Sequence, residues 1–346
     1  MCDVKKSRTR EENFMDIVRT RLVRSPVCNP WRNLAWEEYL TKNCADDEAI
    51  FYLWQNAHTV VVGRNQNAWA ECRIELMEKE GVTLARRSTG GGAVYHDLGN
   101  LNFSFVVPRE RYDMTRQLNV ILSALRALGV NAEFTGRNDL TVDGRKFSGN
   151  AYQLTRRVGL HHGTLLVDSN MSVLPRYLNV DPEKLKSKGV KSVASRVVNL
   201  KEAAPSLTVE KMYAPLEEAF LAEYGRGCAT REDSLPDDDL YRDLYARYSS
   251  REWLLGRSPQ CEAALRRRFA WGGVQLCFDI EDAAVKDLRV FSDAMDGELI
   301  RAAEKCLDGQ PFEWDVLAQA LERAFPQQAE MGDLAAWFRE HPALQA

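Results

Sequence analysis

Several marks of familiar protein classes are missing from this sequence. No apolar run approaches the ~18 residues needed to span a bilayer, so no membrane association is expected. The formal net charge is −4, without the basic excess typical of nucleic-acid binders, so no nucleic-acid partner is expected. None of the eight cysteines forms a C-x-x-C pair. A chain this long buries its own core without staples, and the cysteines read as scattered reduced thiols of a cytoplasmic protein. The first 25 residues lack an apolar segment and include Asp3, Glu11, Glu12 and Asp16, which counts against a secretory signal or an organelle transit peptide. They are set apart as an N-terminal extension. No internal repeat and no low-complexity tract occurs. No cysteine lies between Cys72 and Cys228.

Hydrophobic residues make up 45% of the chain and charged residues 28%, a globular balance. Its length suits two domains, and strand and helix signals alternate from about residue 30. Ala49–Gln55 and Thr59–Gly63 are short, β-branched and aromatic, and read as buried strands. Trp69–Glu80 reads as one helix stopped by Gly81, and Val82–Ser88 as a strand. In Leu101–Val107 the apolar residues alternate with Asn102 and Ser104, which predicts one buried and one more polar face. Met114–Leu128 has helical spacing and ends at Gly129. Leu140–Val142, Asp143-Gly144 and Lys146–Ser148 read as a tight hairpin, and Leu160–Asp168 as a further strand. Thr208–Tyr224 reads as a helix with a kink or restart at Pro215. Gly225–Ser250 reads as a linker with one short helix. A smaller unit follows, with a strand pair through Val274–Phe291 and helices near Asp296–Leu307 and Trp314–Phe325. The division is 1–25, 26–248 and 249–346.

Three stretches carry candidate chemistry. Arg86–Asn100 (RRSTGGGAVYHDLGN) puts three glycines between two strands. Such a loop lets a ligand approach the main chain and offers backbone N–H groups to anionic oxygens. Arg86 and Arg87 stand before it, suited to carboxylate or phosphate. A plain hairpin with two solvated arginines fits the composition too. No Lys-Ser or Lys-Thr follows the glycines, so this is not a P-loop, and the G-x-G-x-x-G spacing of a dinucleotide fold is absent.

In Gly136–Gly149 (GRNDLTVDGRKFSG), Lys146 sits just past the predicted turn. A fixed ammonium suits acyl adenylate chemistry, in which negative charge builds on the attacked α-phosphate. A lone hairpin lysine is otherwise a surface residue. Asn138 and Asp139 have oxygens suited to Mg2+, and equally to a turn or cap. The third stretch, Lys184–Val193 with Ser195–Val197, gathers Lys184, Lys186, Lys188, Lys191 and Arg196 around Gly189. It reads either as a solvated basic loop or as a loop closing over a phosphate-bearing ligand. His161-His162 has no further ligands at metal spacing and is not read as a metal site.

Together these stretches resemble the bifunctional lipoate–protein ligases, from about Asn33 to Trp337. RRSTGGGAVYHDLGN looks like the family's lipoate-binding loop, GRNDLTVDGRKFSG like its catalytic-lysine segment, and HHGTLLVD with Lys184–Asn199 like its strand and adenylate-binding loop. REWLLGRSP and RFAWGGVQLCFDI resemble the accessory domain. The resemblance implies an α/β (α+β) biotin/lipoate-ligase-like catalytic domain, a mixed sheet flanked by helices, with a small C-terminal α/β domain. It implies activation of lipoate by Mg·ATP to lipoyl-AMP and transfer to a lysine of apo lipoyl domains. The carriers would be acyltransferase subunits of 2-oxoacid dehydrogenases and the glycine-cleavage H protein. ATP and Mg2+ would be co-substrates, with no tightly bound cofactor, and a monomer is expected.

By position, Arg87, Gly92, Ala93, Val94, Tyr95, Lys146, Lys188 and Gly189 match nucleotide contacts. Arg86, Ser88, Gly90, Gly91, Lys146 and His162 match the lipoate pocket. The segment around Asp143 is shorter than in some members, so its outer turn should differ. The rival is a lipoyl- or octanoyltransferase using a preformed acyl-AMP or an acyl carrier donor. A cysteine-thioester route is a poor fit, because no cysteine lies near Lys146 in sequence. Biotin ligase fits less well, because no G-R-G-R-x-G-R loop is present.

Overall fold

The computed structural model describes residues 17–135, 139–179, 197–256 and 263–341. Lys188, Gly189, Asn138 and most of the basic loop lie outside them. The described elements run β1 (Arg19–Arg24), α1 (Pro30–Asn43), β2 (Glu48–Trp54), β3 (Thr59–Val62), α2 (Ala68–Glu71), α3 (Ile74–Lys79), β4 (Thr83–Arg86), β5 (Val94–His96), β6 (Asn100–Pro108) and α4 (Met114–Ala127). They continue β7 (Glu133–Thr135), β8 (Asp139–Val142), β9 (Arg145–Leu154), β10 (Val158–Leu166), α5 (Leu174–Tyr177), α6 (Leu200–Ala203), α7 (Val209–Tyr224), β11 (Cys228–Glu232), α8 (Asp239–Ser249) and α9 (Arg251–Leu255). The last part holds β12 (Ala263–Phe269), β13 (Gly272–Glu281), β14 (Ala284–Ser292), α10 (Gly297–Leu307), α11 (Trp314–Ala324) and α12 (Ala329–Arg339).

An eight-stranded mixed sheet in the order β11-β1-β2-β6-β10-β9-β8-β7 organises the larger part. β1 pairs parallel with β2 and β11, and the neighbours from β2 onward are antiparallel. One face carries Phe51, Phe103 and Phe105 under α4 and α7, whose Ile121, Leu216 and Phe220 complete that core. The opposite face carries Tyr52, Trp54 and Leu160 under α1 and α8. β6 is therefore buried along its whole length. The polar alternation at Asn102 and Ser104 marks a second interior, because both side chains are buried.

Local chemistry sets several element ends. Asn29 caps α1 by accepting from the Arg32 N–H, with Pro30 in the first turn. Asp143 (φ 51°) and Gly144 (φ 70°) both take positive φ, as a two-residue hairpin turn requires. α7 runs unbroken through Pro215, with no restart, and ends where Gly225 takes φ 110°.

Other expectations need correction. Trp69–Glu80 is two helices, because Cys72 bridges to Leu178 and Arg73 N–H donates to the Tyr177 carbonyl. The stretch 225–250 is no linker: β11 pairs along β1, and α8 packs Tyr241, Leu244 and Tyr248 into the core. Arg19–Arg24, placed in an extension, lies inside the large sheet. α9, assigned to the accessory unit, packs Leu254 and Leu255 against Val60 and Val62 of the larger body. The small unit has a third strand, β12, and a third helix, α12, over a separate core containing Ile300, Leu321 and Trp337. Cys277 is disulfide-bonded and so departs from the expected reduced state. The described cysteines Cys28, Cys44, Cys72, Cys228 and Cys306 are free. Among the described residues no helix is long and apolar enough to cross a membrane.

Candidate active site

The two faces of the large sheet differ in use. Beside Tyr52 the packed layer opens into a cavity of about 300 Å³. Its floor follows the strand register: Trp54 opposes Asn102, and Asn102 opposes Thr164, whose hydroxyl accepts from the Gly149 N–H. Directly paired residues share a face, so this row crosses β2, β6, β10 and β9. Val61 of β3 and Val94 of β5 line it as well. These strands belong to a three-stranded sheet, β4-β3-β5.

The glycine loop closes one side. Arg87 is buried, and its guanidinium gathers the loop's own carbonyls. Nη2 donates to Gly90 O (2.6 Å) and Gly92 O (2.9 Å), and Nε to Gly90 O and the Thr89 hydroxyl. Nη1 reaches Val61 O. Burial lowers its pKa to about 10, so it stays charged at neutral pH. With its carbonyls drawn onto Arg87, the loop places Gly91, Gly92 and Ala93 on the cavity wall. Gly91 takes φ 92°, which favours glycine. A Cβ at Gly90 would collide with the carbonyl oxygens of Ala294 and Met295. Gly91 N–H donates to Ala294 O, and Met295 joins the lining, so the small unit supplies part of the wall.

Arg86 departs from its expected place. Its Nε and Nη2 donate to Trp253 O (2.9 Å) and Leu254 O (2.7 Å), and Nη1 to the carbonyls of Gly63, Arg64 and Gln66. It ties α9 to the end of β4 and is not among the residues lining the cavity. Tyr95 also lies off the lining; its hydroxyl meets His58 Nδ1 at 2.9 Å. Ser88 and Gly90 border a smaller cavity of about 120 Å³, shared with Asp296, Gly297 and Glu298.

Lys146 lies near the start of β9, at the far end of the floor from Trp54. Its Nζ stands 2.6 Å from Asp139 Oδ1 on the paired strand, an ion pair without the angles of a hydrogen bond. Its carbonyl accepts from the Val198 N–H, and it bridges to Val197. A Cβ at Gly149 would come within 3.3 Å of Nζ, so glycine there gives the lysine room. Among the described residues no group of three His, Cys, Asp or Glu could hold a metal. Asp139 is a single carboxylate, sufficient for Mg2+ only where phosphate oxygens and water complete the shell.

A chain of hydrogen bonds that the sequence did not reveal runs beneath the cavity. His162 Nδ1 stands 2.8 Å from Glu37 Oε1, which also accepts from Ser104 Oγ. Trp54 Nε1–H donates to Ser104. His162 Nε2 stands 2.8 Å from Thr89 Oγ1, which accepts from Arg87. A carboxylate only accepts, so Nδ1 of His162 carries a proton and donates to Glu37. His162 lines the cavity, held from both sides. Glu37 falls on the buried face of α1, with Asn33, Leu34 and Leu40. An acid on that spacing is the signal that would have found it.

His96 is also on the lining, and burial pushes its pKa down to about 3. Burial pushes the Cys72 thiol up to about 12. It packs with Val60 and Val62 away from the cavity lining, a poor setting for a thioester.

The sequence matches the family described as lipoyl protein ligase A/B catalytic domain over residues 29–221, and that of the bacterial lipoate protein ligase C-terminus over residues 258–338. P. falciparum LipL1, solved in complex with lipoate, is similar at 27% identity and TM-score 0.82, over 93% of this chain and 100% of that one. The bipartite lipoate protein ligase of Thermoplasma acidophilum, described with its E2 lipoyl domain, matches at 30% identity and TM-score 0.62, over 71% of this chain and 99% of that one. A lipoate-protein ligase A bound with ATP matches at 28% identity and TM-score 0.60, over 69% and 99%. The chain belongs to the lipoate–protein ligase family, with the catalytic and C-terminal domains of that family on one polypeptide.

Proposed function

We propose that the protein activates lipoate with ATP to lipoyl-AMP and pyrophosphate, then passes the lipoyl group to a lysine of apo lipoyl domains. The single observation that carries this reading is the placement of Lys146 at one end of an apolar, sheet-floored cavity whose wall is the glycine loop. The acyl chain would lie along the floor with its carboxylate near Nζ. In the first half-reaction a carboxylate oxygen bonds to the α-phosphorus, and the bond to the bridging oxygen of pyrophosphate breaks. The Lys146 side chain, beside the α-phosphate, stabilises the charge that builds there. In the second, the carrier lysine's neutral amine attacks the acyl carbonyl, the bond from that carbon to the phosphate oxygen of AMP breaks, AMP leaves, and the amine's surplus proton passes to solvent.

Gly92, Ala93 and Val94 would meet the nucleotide, with Arg87 acting chiefly by shaping the loop. His162 and Gly91 would line the lipoate side. Asp139 would hold the Mg2+ that ATP brings, and Lys188 with Gly189 would cover the phosphates. Relatives described with lipoate, with ATP and with an E2 lipoyl domain support this substrate set. The carriers would be 2-oxoacid dehydrogenase acyltransferase subunits and the glycine-cleavage H protein, with a monomer as the working unit.

The test is lipoate-dependent exchange of labelled pyrophosphate into ATP, expected to be present. Absence of exchange, with transfer from supplied lipoyl-AMP intact, would overturn the activation step and leave a transferase.

A further inference from the structure

Side chains on a strand alternate between its two faces, so a lysine two and four residues before core side chains is expected to point into the core as well. Lys146 breaks that rule. On β9, Ser148 opposes Leu140 and Asn150 opposes Gly163, and directly paired residues share a face. Leu140 belongs to the core under α4 and α7, and so does Phe103, which opposes Gly163 from the other side. In a regular ladder Lys146 would join them, and Phe147 would face the cavity with Gly149. The structure shows the reverse. Phe147 is fully buried in that core, and Lys146 lines the cavity beside Gly149.

A bulge of one residue makes the exchange. Asp139 opposes Gly149 and Leu140 opposes Ser148, but the next pair is Thr141 with Lys146. Phe147 is the extra residue, and its side chain points the same way as that of Ser148. Lys146 thereby comes onto the face of Thr141 and Asp139, where its ion pair forms. Both sides of the bulge are fixed. Ahead of it, Lys146 bridges to Val197, and its carbonyl accepts from the Val198 N–H at 2.9 Å. Beyond it, Asn150 Oδ1 meets His161 Nε2 at 3.0 Å, and the Asn150 amide donates to Ser148 Oγ. A Cβ at Gly163 would stand 2.4 Å from Asn150 Oδ1, so this glycine leaves the gap through which the carboxamide reaches His161.

Two arrangements compete at this point of the strand. The bulge disrupts the ladder at one residue. The regular ladder would bury an ammonium group and expose a phenyl ring, and both changes are unfavourable. A large apolar side chain at position 147 therefore selects the bulge.

We propose that Phe147 is the positioning residue of the site: by drawing the extra residue of the bulge into the core, it turns Lys146 out onto the cavity face. This rests on the function proposed above. Phe147 is buried and acts only through the direction of Lys146.

The experiment has two arms. In the first, Lys146→Cys, Phe147→Cys and Ser148→Cys are made singly, and alkylation by iodoacetamide is followed on the mapped peptides of the native protein. The thiol at 146 is expected to react about ten-fold faster than those at 147 and 148. Adding Phe147→Ser to Lys146→Cys is expected to slow that reaction about ten-fold, as residue 146 turns inward. An unchanged rate overturns the proposal. Cys44, buried in the opposite layer, reports unfolding in the same digest. If Phe147→Ser exposes Cys44, Asn150→Leu takes its place, with the same slowing expected. In the second arm, Phe147→Leu is expected to keep the wild-type kcat for pyrophosphate exchange. Phe147→Ser is expected to lower kcat about 10²-fold, with the lipoate KM changed less than about two-fold. Phe220→Ala, cut from the same core, is the control, which loses stability and keeps kcat. If Phe147→Ser behaves as that control does, Phe147 is structural only and the proposal is overturned. If the wild type shows no exchange, the ligase reading fails, and the alkylation arm still decides whether Phe147 directs residue 146.

Discussion

Lys146 keeps 37% of its side chain exposed, and its ammonium faces the Asp139 carboxylate. Removing it disturbs little packing and takes away the cation at the site of developing charge. Lys146→Ala is expected to lower pyrophosphate exchange by about 10²–10³-fold while the thermal midpoint stays near that of the wild type. Near-normal exchange would take Lys146 out of the chemistry. His96 and His161 present the opposite case. Both are buried, and both are held down to about 3 by loss of solvent. The unfolded chain takes up these protons near pH ~6.5, and the folded chain only near 3. In that window the unfolded state binds more protons, so stability is present above about 6.5 and is lost as the pH falls. Each group contributes a slope of about 1.4 kcal/mol per pH unit. Denaturant midpoints measured from pH 7 to 4.5 should show that fall, and His161→Gln should reduce its slope by about one proton. An unchanged slope would mean that the ring is already charged in the fold.

At the scale of elements, the glycine loop depends on two neighbours. Arg87 holds its carbonyls from within, and the Ala294–Met295 segment presses on Gly90 from outside. Gly90→Ala has no room for its methyl group, so the segment must move. Exchange activity is expected to fall more than ten-fold, with the loop's amides losing protection from hydrogen exchange. Wild-type activity would show that the contact is dispensable. Phe220 tests the opposite layer. Its ring stacks on Phe51 at 5.1 Å between α7 and the sheet. Phe220→Ala should cost about 3–5 kcal/mol and lower the unfolding midpoint without changing kcat for exchange below that midpoint.

For the whole molecule, Arg86 is the knot. One guanidinium serves carbonyls from the β3–α2 turn and from α9. Arg86→Met strands several of them, at a cost on the order of 3 kcal/mol. The loss should appear in unfolding curves, and lipoate KM should change less than stability does. A selective loss of lipoate binding with unchanged stability would return Arg86 to the ligand site, where its place in the motif had put it. The small unit closes the cavity through Met295 and is tied to the larger body by Asn65, whose amide donates to Gly297 O and whose carbonyl accepts from the Ser292 N–H. These contacts join residues more than two hundred positions apart, and no local pattern announces them.

What the sequence by itself determined was local. The hairpin at Asp143-Gly144, the α4 helix, the strands Glu48–Trp54 and Thr59–Val62, and the loop of three glycines all follow from backbone sterics and short-range periodicity. Adjacent signals of that kind put Lys146 past its turn. Tertiary structure decided which polar residues meet. Arg86 and Arg87 are neighbours with one side-chain chemistry; strand alternation and burial send one to α9 and the other into the loop. Glu37, Ser104, Thr89 and His162 come from four separate segments and form one chain only because β6 and β10 pair beneath α1. β11 and α8 looked like linker, since their exposed acids hid the pairing with β1 and the buried tyrosines. Burial sets protonation and hydrogen-bond demand, and burial is a property of the assembled layers, which no single stretch of chain contains.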